Sequence, residues 1–387
     1  MAEQTVKILD PIDGAILNRH DGNQTDRGLE ITVKGQAPPG VAVSVNGVPA
    51  ARSGGEFTAP ALISKRVQTL AAVAGEARDK ATVLWDKNSM KRYRFSTDDN
   101  IWFLRDIAQH AGTYSSIFDN FYLAFWREMH RRYGARIQHN IYYQDEAGFT
   151  LAQMPDKFKA EWRDNAHWLH LTFHALQNDP PKLYINSTYA ELERDFLLVT
   201  DQILRFAGGE VLSPYTTVHW GEATREGCRA LRDHGILGLA GYFMFGKDGK
   251  PAVSYYLDAE RTRHLSQRDY WKDLAEDLFF ITHDIVINTK KLDAIVPHLD
   301  EVSANPHRQD LMEVMIHEQY FWKHWQGHQP DAKEKVIATL EWISSHGYKP
   351  IFYEEGFLGA PVSECASERV SECASEPVSE CASMRVP

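Results

Sequence analysis

The stretch RFSTDDNIWFL, residues 94–104, places two adjacent carboxylates, Asp98 and Asp99, between a run of alternating apolar and polar residues and an amphipathic run. Adjacent like charges weaken a strand, so one interpretation is a turn or a helix N-cap. The other interpretation is a metal ligand next to a general base, at the end of a strand. The choice between them depends on what stands at the corresponding places along the chain.

Length and composition limit the classes of function. The chain has 387 residues, enough for about two domains, one of which could be a full barrel. A net charge of −11 argues against a general nucleic-acid binder and against binding to an anionic membrane surface. No apolar run is long enough to span a bilayer. We therefore expect no nucleic-acid partner and no membrane span.

The two ends of the chain carry separate expectations. Residues 1–14, MAEQTVKILDPIDG, lack the basic segment and apolar core of a signal peptide. If Met1 is the native start, we expect a cytoplasmic protein; a trimmed leader would instead mean a secreted or periplasmic one. Residues 357–387 contain an eight-residue repeat of small, polar and charged residues, which predicts a disordered tail.

Residues 1–86 differ in pattern from the sequence that follows. Short β-prone runs such as LEITVKG, VAVSVNG and QTLAAVAG are separated by Gly, Pro and Asn-Gly turn signals at roughly regular intervals. This pattern predicts a small all-β sandwich of the immunoglobulin-like type. None of its residues is a candidate for catalysis.

Residues 87–356 alternate between strand-like and helical runs. TYAELERDFLLVTDQILRFAG and PDAKEKVIATLEWISSHG are two of the helical runs, and each has glycine as a stop signal. Seven or eight strand–helix units predict an α/β fold with a parallel (β/α) barrel rather than an open sheet. The active site of such a barrel lies at the carboxyl ends of its strands.

Polar side chains able to bind metals or move protons recur where the predicted strands end. A barrel would bring them together at one mouth, and this coincidence is the strongest indication of function in the sequence. In chain order they are Asp98 and Asp99, Asn140 and Tyr142, His170 and His174, His219 and Trp220, His283 and Asp284, and His317 and Glu318.

The pair His170 and His174 has the i, i+4 spacing of many metal-binding motifs, but the spacing alone means little. On a continuous strand the two residues would be about 13 Å apart, too far to share one ion. They become a chelate only if the chain turns or enters a helix after His170. Taken alone, each of these histidines fits a structural role better.

Three motifs, in order, resemble those of the polysaccharide deacetylase family, which includes chitin, chito-oligosaccharide and peptidoglycan deacetylases. Residues 96–99, Ser-Thr-Asp-Asp, resemble the Thr-Phe-Asp-Asp motif of the first strand. Residues 170–174 resemble the His-(Ser/Thr)-x-x-His motif, and residues 281–283 the Leu-x-His motif. The resemblance covers roughly residues 91–355 and implies the distorted (β/α) barrel of that family.

The resemblance also implies roles for five residues. Asp99, His170 and His174 would be the ligands of a divalent metal, zinc by the chemistry of this donor set. Asp98 would be the base that takes a proton from water, and His283 the acid that protonates the departing amine. Of the two aspartates in the opening stretch, Asp99 would thus bind the metal and Asp98 would deprotonate the water.

The family motif Arg-x-Pro-Tyr is replaced here by Leu212–Tyr215, which has no guanidinium to orient the base. We expect His219, or otherwise His317, to orient Asp98 in its place. The candidates for substrate binding or orientation are His219, Trp220, Tyr215, His317 and Glu318.

These observations predict a metal-dependent hydrolase that removes acetyl groups from an N-acetylated or O-acetylated sugar or polysaccharide. Two alternatives remain open from the sequence. One is a carbohydrate-binding or scaffold protein with an inactive deacetylase-like barrel. The other is a glycoside hydrolase that uses Glu318 and Asp98 as its carboxylate pair.

Overall fold

The structure is a computed structural model that describes residues 5–355. The tail predicted for residues 357–387, and the last residue of the predicted barrel region, lie outside the described residues. Within residues 5–355, the helices are all too short or too polar to cross a bilayer.

The first part of the described chain consists of strands alone, arranged in two five-stranded sheets. One sheet has the order β1-β4-β8-β7, with β3 also paired to β4, and the other has the order β2-β10-β9-β5-β6. The strands are β1 (Lys7–Asp10), β2 (Ile16–Leu17), β3 (Asn23–Thr25), β4 (Gly28–Gln36), β5 (Val43–Val45), β6 (Val48–Pro49), β7 (Ala51–Ser53), β8 (Glu56–Ile63), β9 (Val67–Ala74) and β10 (Ala77–Trp85).

Period-two alternation builds the core between these sheets. On β4, Leu29, Ile31 and Val33 are buried, whereas Lys34 is exposed. Because successive side chains of a strand point to opposite faces, this pattern gives the strand one apolar and one polar face. Every strand of this part except β2 pairs antiparallel with its neighbours, and β2 pairs parallel with β10.

The second part mixes strands and helices. Its strands are β11 (Arg92–Asn100), β12 (Ile137–Tyr142), β13 (Leu169–Ala175), β14 (Tyr215–Thr216), β15 (Gly238–Gly241), β16 (Met244–Phe245), β17 (Pro251–Ala252), β18 (Tyr270–Asp273), β19 (Leu278–Thr282), β20 (Ile285–Val286), β21 (Leu311–His317) and β22 (Lys349–Pro350). Its helices are α1 (Trp102–Gln109), α2 (Phe121–Tyr133), α3 (Lys159–Asp164), α4 (Tyr189–Phe206), α5 (Arg225–Asp233), α6 (Ala259–Leu265), α7 (Ile295–Ala304) and α8 (Ala332–Ser345).

The strands of the second part do not close into the predicted barrel. Within the described residues they form a six-stranded sheet, β13-β12-β11-β21-β20 with β22 on β11, a four-stranded sheet, β14-β15-β19-β18, and the hairpin β16-β17. A single bridge between Leu171 and Leu212 connects the two larger sheets next to β13, because β14 is only two residues long. At His283 and Asp284 the chain passes from β19 to β20 and so from one sheet to the other. The six-stranded sheet is parallel, whereas β18 pairs antiparallel with β19, and the hydrogen-bonded ring of the described residues is open.

Local capping residues explain where α2 and α4 begin. Thr188 accepts a hydrogen bond from the backbone N–H of Glu191 while the Glu191 carboxylate accepts from Thr188, which is a capping box at the start of α4. Asn120 caps α2, and Gly134, with a φ of 66°, ends it. A left-handed residue at this place favours glycine because it has no Cβ.

The first part of the chain packs against the second. Ile16 and Leu84 pack in one cluster with Tyr215, Ile281 and Leu311. The Trp271 indole N–H also donates to the carbonyl oxygen of Asp13 at 2.7 Å. The β-strand part therefore packs against the second part through both apolar contacts and a hydrogen bond.

Candidate metal centre and catalytic site

Asp98 and Asp99 stand at the end of β11, and both line one cavity of about 650 Å³. Alternation along a strand would point neighbouring side chains to opposite faces. Asp99 has a φ of 61°, in the left-handed region that aspartate tolerates better than most residues, so the chain turns there. The turn lets both carboxylates face the same space.

Three of the polar side chains form a tight group. His174 Nε2 lies 3.1 Å from Asp99 Oδ1, and His219 Nδ1 lies 3.3 Å from the same oxygen. The two ring nitrogens are 3.3 Å apart. Within the described residues, this is the group of three whose ligand atoms all lie within 4.8 Å of one another.

The remaining ring nitrogens determine how the two histidines carry their protons. His174 Nδ1 bonds to the carbonyl oxygen of Thr217, and His219 Nε2 lies 3.2 Å from the carbonyl oxygen of Asn178. A carbonyl oxygen can only accept, so these nitrogens donate. His174 Nε2 and His219 Nδ1 are then the lone-pair nitrogens of the neutral rings, and both face the Asp99 carboxylate.

Acceptors that face each other at this distance repel unless a cation or a proton lies between them. The Tyr142 hydroxyl bonds to Asp99 Oδ1 and lies 2.9 Å from His219 Nδ1, but it has only one proton to give. A divalent metal satisfies all three lone pairs at once. Two imidazoles and a carboxylate are a common donor set for catalytic zinc, so the residues present fit such an ion.

The electrostatics keep Asp99 in the form that a ligand requires. Burial alone would raise the pKa of Asp99, but His317, His174 and His219 hold it well below its usual range. Burial would likewise lower the pKa of His174, and the Asp98 and Asp99 carboxylates outweigh that effect and raise it. Asp99 is thus a carboxylate, the form that can bind a cation.

Asp98 has partners different from those of Asp99. Its Oδ1 accepts a hydrogen bond from the Asn140 side-chain amide at 2.5 Å. The expectation that His219 or His317 orients Asp98 is corrected here, because the contacts of both rings go elsewhere. His219 faces Asp99, and His317 Nδ1 lies 2.9 Å from the Asn288 side-chain oxygen.

His283 lines the same cavity as Asp98 and is 4% exposed. Neither ring nitrogen has a hydrogen-bond partner among the described residues; the nearest carboxylate oxygen, on Glu313, is 3.7 Å from Nδ1. Burial, together with the positive charge of Arg94, lowers the pKa of His283 to about 3. The free protein therefore presents a neutral imidazole, with one N–H and one lone pair, to whatever enters the cavity.

The rim of the cavity is aromatic and partly exposed. Trp220 is 48% exposed, and its ring centroid lies 6.1 Å from that of His219. A second cavity of about 440 Å³ shares Asp99, Asn178, Gln319 and Trp325 with the first. Asp99 of the candidate metal centre therefore lines both cavities, whereas His174 and His219 line the first.

The structure corrects the assignment of His170 as a metal ligand. His170 stands near the start of β13 and His174 near its end, and four steps along an extended strand place them about 13 Å apart. The His170 ring stacks on Phe352 at 3.6 Å, and its Nδ1 lies 3.2 Å from Glu354 Oε1. His219 takes the place in the cluster that the sequence motif suggested for His170.

Glu318 and Tyr215 are also placed outside the site. The Glu318 carboxylate accepts hydrogen bonds from the backbone N–H groups of Ile101, Trp102 and Phe103, at the start of α1. Burial raises its pKa to about 7. Both oxygens are thus committed to the helix terminus, which removes Glu318 from a catalytic carboxylate pair. Tyr215 packs in a cluster with Ile16 and Leu84 and does not line the cavity.

Other residues complete the site without having been singled out by the sequence patterns. Gln319 donates to Asp99 Oδ2 at 2.7 Å, and Asn178 supplies the carbonyl oxygen for His219. His317 Nε2 lies 3.9 Å from the same Asp99 oxygen. Gln319 directly follows a predicted strand-end pair, and Asn178 comes four residues after His174, so proximity to a strand end was their one signal in the sequence.

No family model and no curated sequence matches this chain. Among solved structures it is similar to a proposed polysaccharide deacetylase from Mycobacterium smegmatis, with 10% identity, a TM-score of 0.41, and coverage of 74% of this chain and 92% of that one. It is also similar to a family 4 acetyl xylan esterase from Clostridium thermocellum in complex with a cobalt ion, with 12% identity, a TM-score of 0.35, and coverage of 70% and 94%.

A third similar structure is a CE4 family pseudoenzyme from Bacillus anthracis, with 9% identity, a TM-score of 0.31, and coverage of 68% of this chain and 64% of that one. The first of these structures is described as a proposed polysaccharide deacetylase, the family that the sequence motifs resemble. Identities and TM-scores this low assign neither an activity nor a substrate to this chain.

Proposed function

We propose that this protein is a metal-dependent hydrolase that removes acetyl groups from an N-acetylated or O-acetylated carbohydrate. The observation that carries the proposal is the convergence of Asp98, Asp99, His174, His219 and His283 on one cavity. These are a three-ligand metal set, a carboxylate and a neutral imidazole, which are the groups that acyl hydrolysis requires.

Asp99, His174 and His219 would hold the metal ion. Three protein ligands leave open positions in the coordination sphere, as catalytic rather than structural sites do, and two nitrogens with one oxygen favour zinc. When bound, the ion supplies a Lewis acid for the acyl carbonyl group and acidifies a water molecule. The backbone carbonyls of Thr217 and Asn178 orient the two rings, as partners of ligand histidines commonly do.

Asp98 and His283 would move the protons. Asp98, held by Asn140, faces the cavity next to the metal ligand Asp99 and would take the proton of the attacking water. His283 is neutral at rest, so its lone pair would accept the proton that Asp98 takes from the water, and the ring would then give a proton to the departing amine or alcohol oxygen and return to its neutral form. This division of roles requires no further ionisable group.

The rim supports a carbohydrate as the substrate. Trp220, Tyr242, Tyr320 and Trp325 line the cavity, and aromatic rings at the edge of a pocket stack on the apolar faces of sugars. The exposed Trp220 has the accessibility that such stacking needs.

Acetate release from acetylated glycans tests the proposal. The full chain would be depleted of metal with a chelator, reloaded with Zn²⁺ or Co²⁺, and assayed against N-acetylated and O-acetylated oligosaccharides. We expect acetate release that the chelator abolishes and the metal restores. Asp99→Ala should be inactive under every metal condition.

Two results would contradict the proposal. Stoichiometric metal binding with no acetate release from any glycan, but with measurable glycan binding, would identify a carbohydrate-binding protein with an inactive site. Acetate release that is unaffected by the chelator would exclude the metal mechanism.

A further inference from the structure

We propose that Gln138 and Asn140 of β12 are positioning residues. They would keep the Asp98 carboxylate oriented so that it acts as the base of the reaction. This inference rests on the proposed function, because it assigns a role in the reaction of the same site. It identifies an uncharged amide pair as the device that keeps Asp98 away from the metal position and directed at the water.

The geometry is a chain of hydrogen bonds along one face of a strand. Gln138 and Asn140 are two positions apart on β12, with His139 between them, so their side chains point to the same side of the strand. The Gln138 amide nitrogen donates to Asn140 Oδ1 at 2.7 Å, and the Asn140 amide nitrogen donates to Asp98 Oδ1 at 2.5 Å. All three residues are at most 2% exposed.

The direction of this chain is determined by its far end. The Gln138 amide nitrogen also lies 2.9 Å from the backbone carbonyl oxygen of Tyr215, which can only accept. The amide group of Gln138 therefore turns its nitrogen toward Tyr215 and Asn140. Asn140 must then offer its oxygen to Gln138, which leaves its own nitrogen as the donor to Asp98. Neither amide can flip without placing like groups against each other.

The arrangement has an energetic cost, which indicates a role beyond packing. Gln138 Oε1 is buried without a hydrogen-bond partner among the described residues. A buried amide oxygen without a partner destabilises a fold, and an apolar residue at position 138 would avoid that cost. The glutamine is explained if its nitrogen has to set the direction of Asn140.

Holding one oxygen of Asp98 matters because of what lies next to it. A free carboxylate adjacent to a divalent ion tends to rotate and become a ligand, and it then no longer acts as a base. The bond from Asn140 restrains that rotation. On the same face of β12, Tyr142 bonds to Asp99, so one strand holds both aspartates in their separate roles.

The test compares Gln138→Glu and Asn140→Ala with the wild-type full chain in its Co²⁺ form. Gln138→Glu keeps the size of the side chain but offers only acceptors when ionised, so Asn140 should turn its nitrogen away from Asp98. Asn140→Ala removes the donor outright. Asn120→Ala, which removes another fully buried asparagine at the start of α2, is the matched control for loss of stability.

We expect kcat to fall on the order of 10- to 100-fold in both β12 variants, with KM within about twofold of wild type. We also expect the visible absorption of the bound Co²⁺ to change, because Asp98 joins its coordination. The control should retain both the wild-type spectrum and the wild-type kcat. The Co²⁺ spectrum requires no substrate, so it reports on the positioning role independently of turnover.

The outcomes separate the two proposals. Altered Co²⁺ spectra in both variants of a protein that releases no acetate would support the positioning role and reject the deacetylase function. Wild-type spectra in both variants would overturn the positioning role, whether or not the protein is active. If one variant fails to fold, the other still decides the question.

Discussion

His174 Nε2 and His219 Nδ1 lie 3.3 Å apart, with their ring planes at 79°, although 45 residues separate them in the chain. Each ring donates its other N–H to a backbone carbonyl, so the two lone pairs converge on the Asp99 carboxylate. This relationship distinguishes the candidate metal centre from the histidine pair that the sequence motif suggested. It also predicts which substitutions remove the metal.

His219→Ala should abolish tight binding of Zn²⁺, whereas His170→Ala should leave it unchanged. The first variant removes one of three ligands, and the second removes a ring that stacks on Phe352 away from the cluster. Isothermal titration with Zn²⁺, together with metal analysis of the purified proteins, measures the difference. The assignment of ligands is wrong if His170→Ala loses the metal and His219→Ala keeps it.

The two aspartates should separate metal binding from turnover. Asp99→Ala should lose both, because the carboxylate is a ligand. Asp98→Asn should keep the metal and lose about 10²–10⁴-fold in kcat, the usual contribution of a general base. Metal analysis and acetate release on the same samples provide the comparison; a nearly normal kcat in Asp98→Asn would exclude it as the base.

Glu318→Gln should reduce stability without removing activity. The carboxylate accepts from three backbone N–H groups of α1 and from the Trp322 indole, and an amide would turn an N–H toward one of these donors. A buried donor left without an acceptor costs about 1–3 kcal/mol. Chemical denaturation measures the loss in free energy of unfolding.

The exposed Glu341→Gln on α8 is the matched control for Glu318→Gln and should leave stability unchanged. The kinetic result for Glu318→Gln also tests the alternative of a glycoside hydrolase. Complete loss of activity in a stably folded Glu318→Gln protein would restore Glu318 as a catalytic carboxylate.

Leu84→Ala should destabilise the second part of the chain, although Leu84 belongs to the first. Its side chain is 4% exposed and belongs to a cluster that includes Tyr215, Ile281 and Leu311 of the second part. Removing a buried leucine side chain typically costs about 2–5 kcal/mol. Leu62→Ala, at a leucine that is 39% exposed on β8, should cost much less.

Amide hydrogen exchange would show which strands the Leu84→Ala substitution destabilises. Faster exchange in β19 and β21 of the variant, compared with Leu62→Ala, is the expected result. If the change were confined to β9 and β10, the two parts of the chain would be energetically independent.

Local sequence was sufficient for several elements. The helix over Tyr189–Phe206 follows from the Thr188–Glu191 capping box and the apolar period of its residues. The strand before Asp98 and the strand-end positions of His174, His219 and His283 follow from alternation and turn signals. These patterns depend on residues that are a few positions apart in the chain, so they can be recognised in the sequence without knowledge of the fold.

The closure of the barrel could not be predicted in the same way. Whether neighbouring strands bond to each other depends on their register and length after folding. The short β14 and the passage of the chain between sheets at His283 and Asp284 leave the ring open. No residue pattern within these segments distinguishes an open ring from a closed one.

The sequence by itself determined that carboxylates and imidazoles stand at successive strand ends, because strand alternation and turn residues are local properties. Only the tertiary structure decided which of them meet. His170 and His174 share a motif but lie at opposite ends of one extended strand, where the rise of about 3.3 Å per residue holds them apart. His219 lies in a short 3-10 turn that follows β14 of the other sheet, and the packing of the two sheets brings its ring to His174 and Asp99.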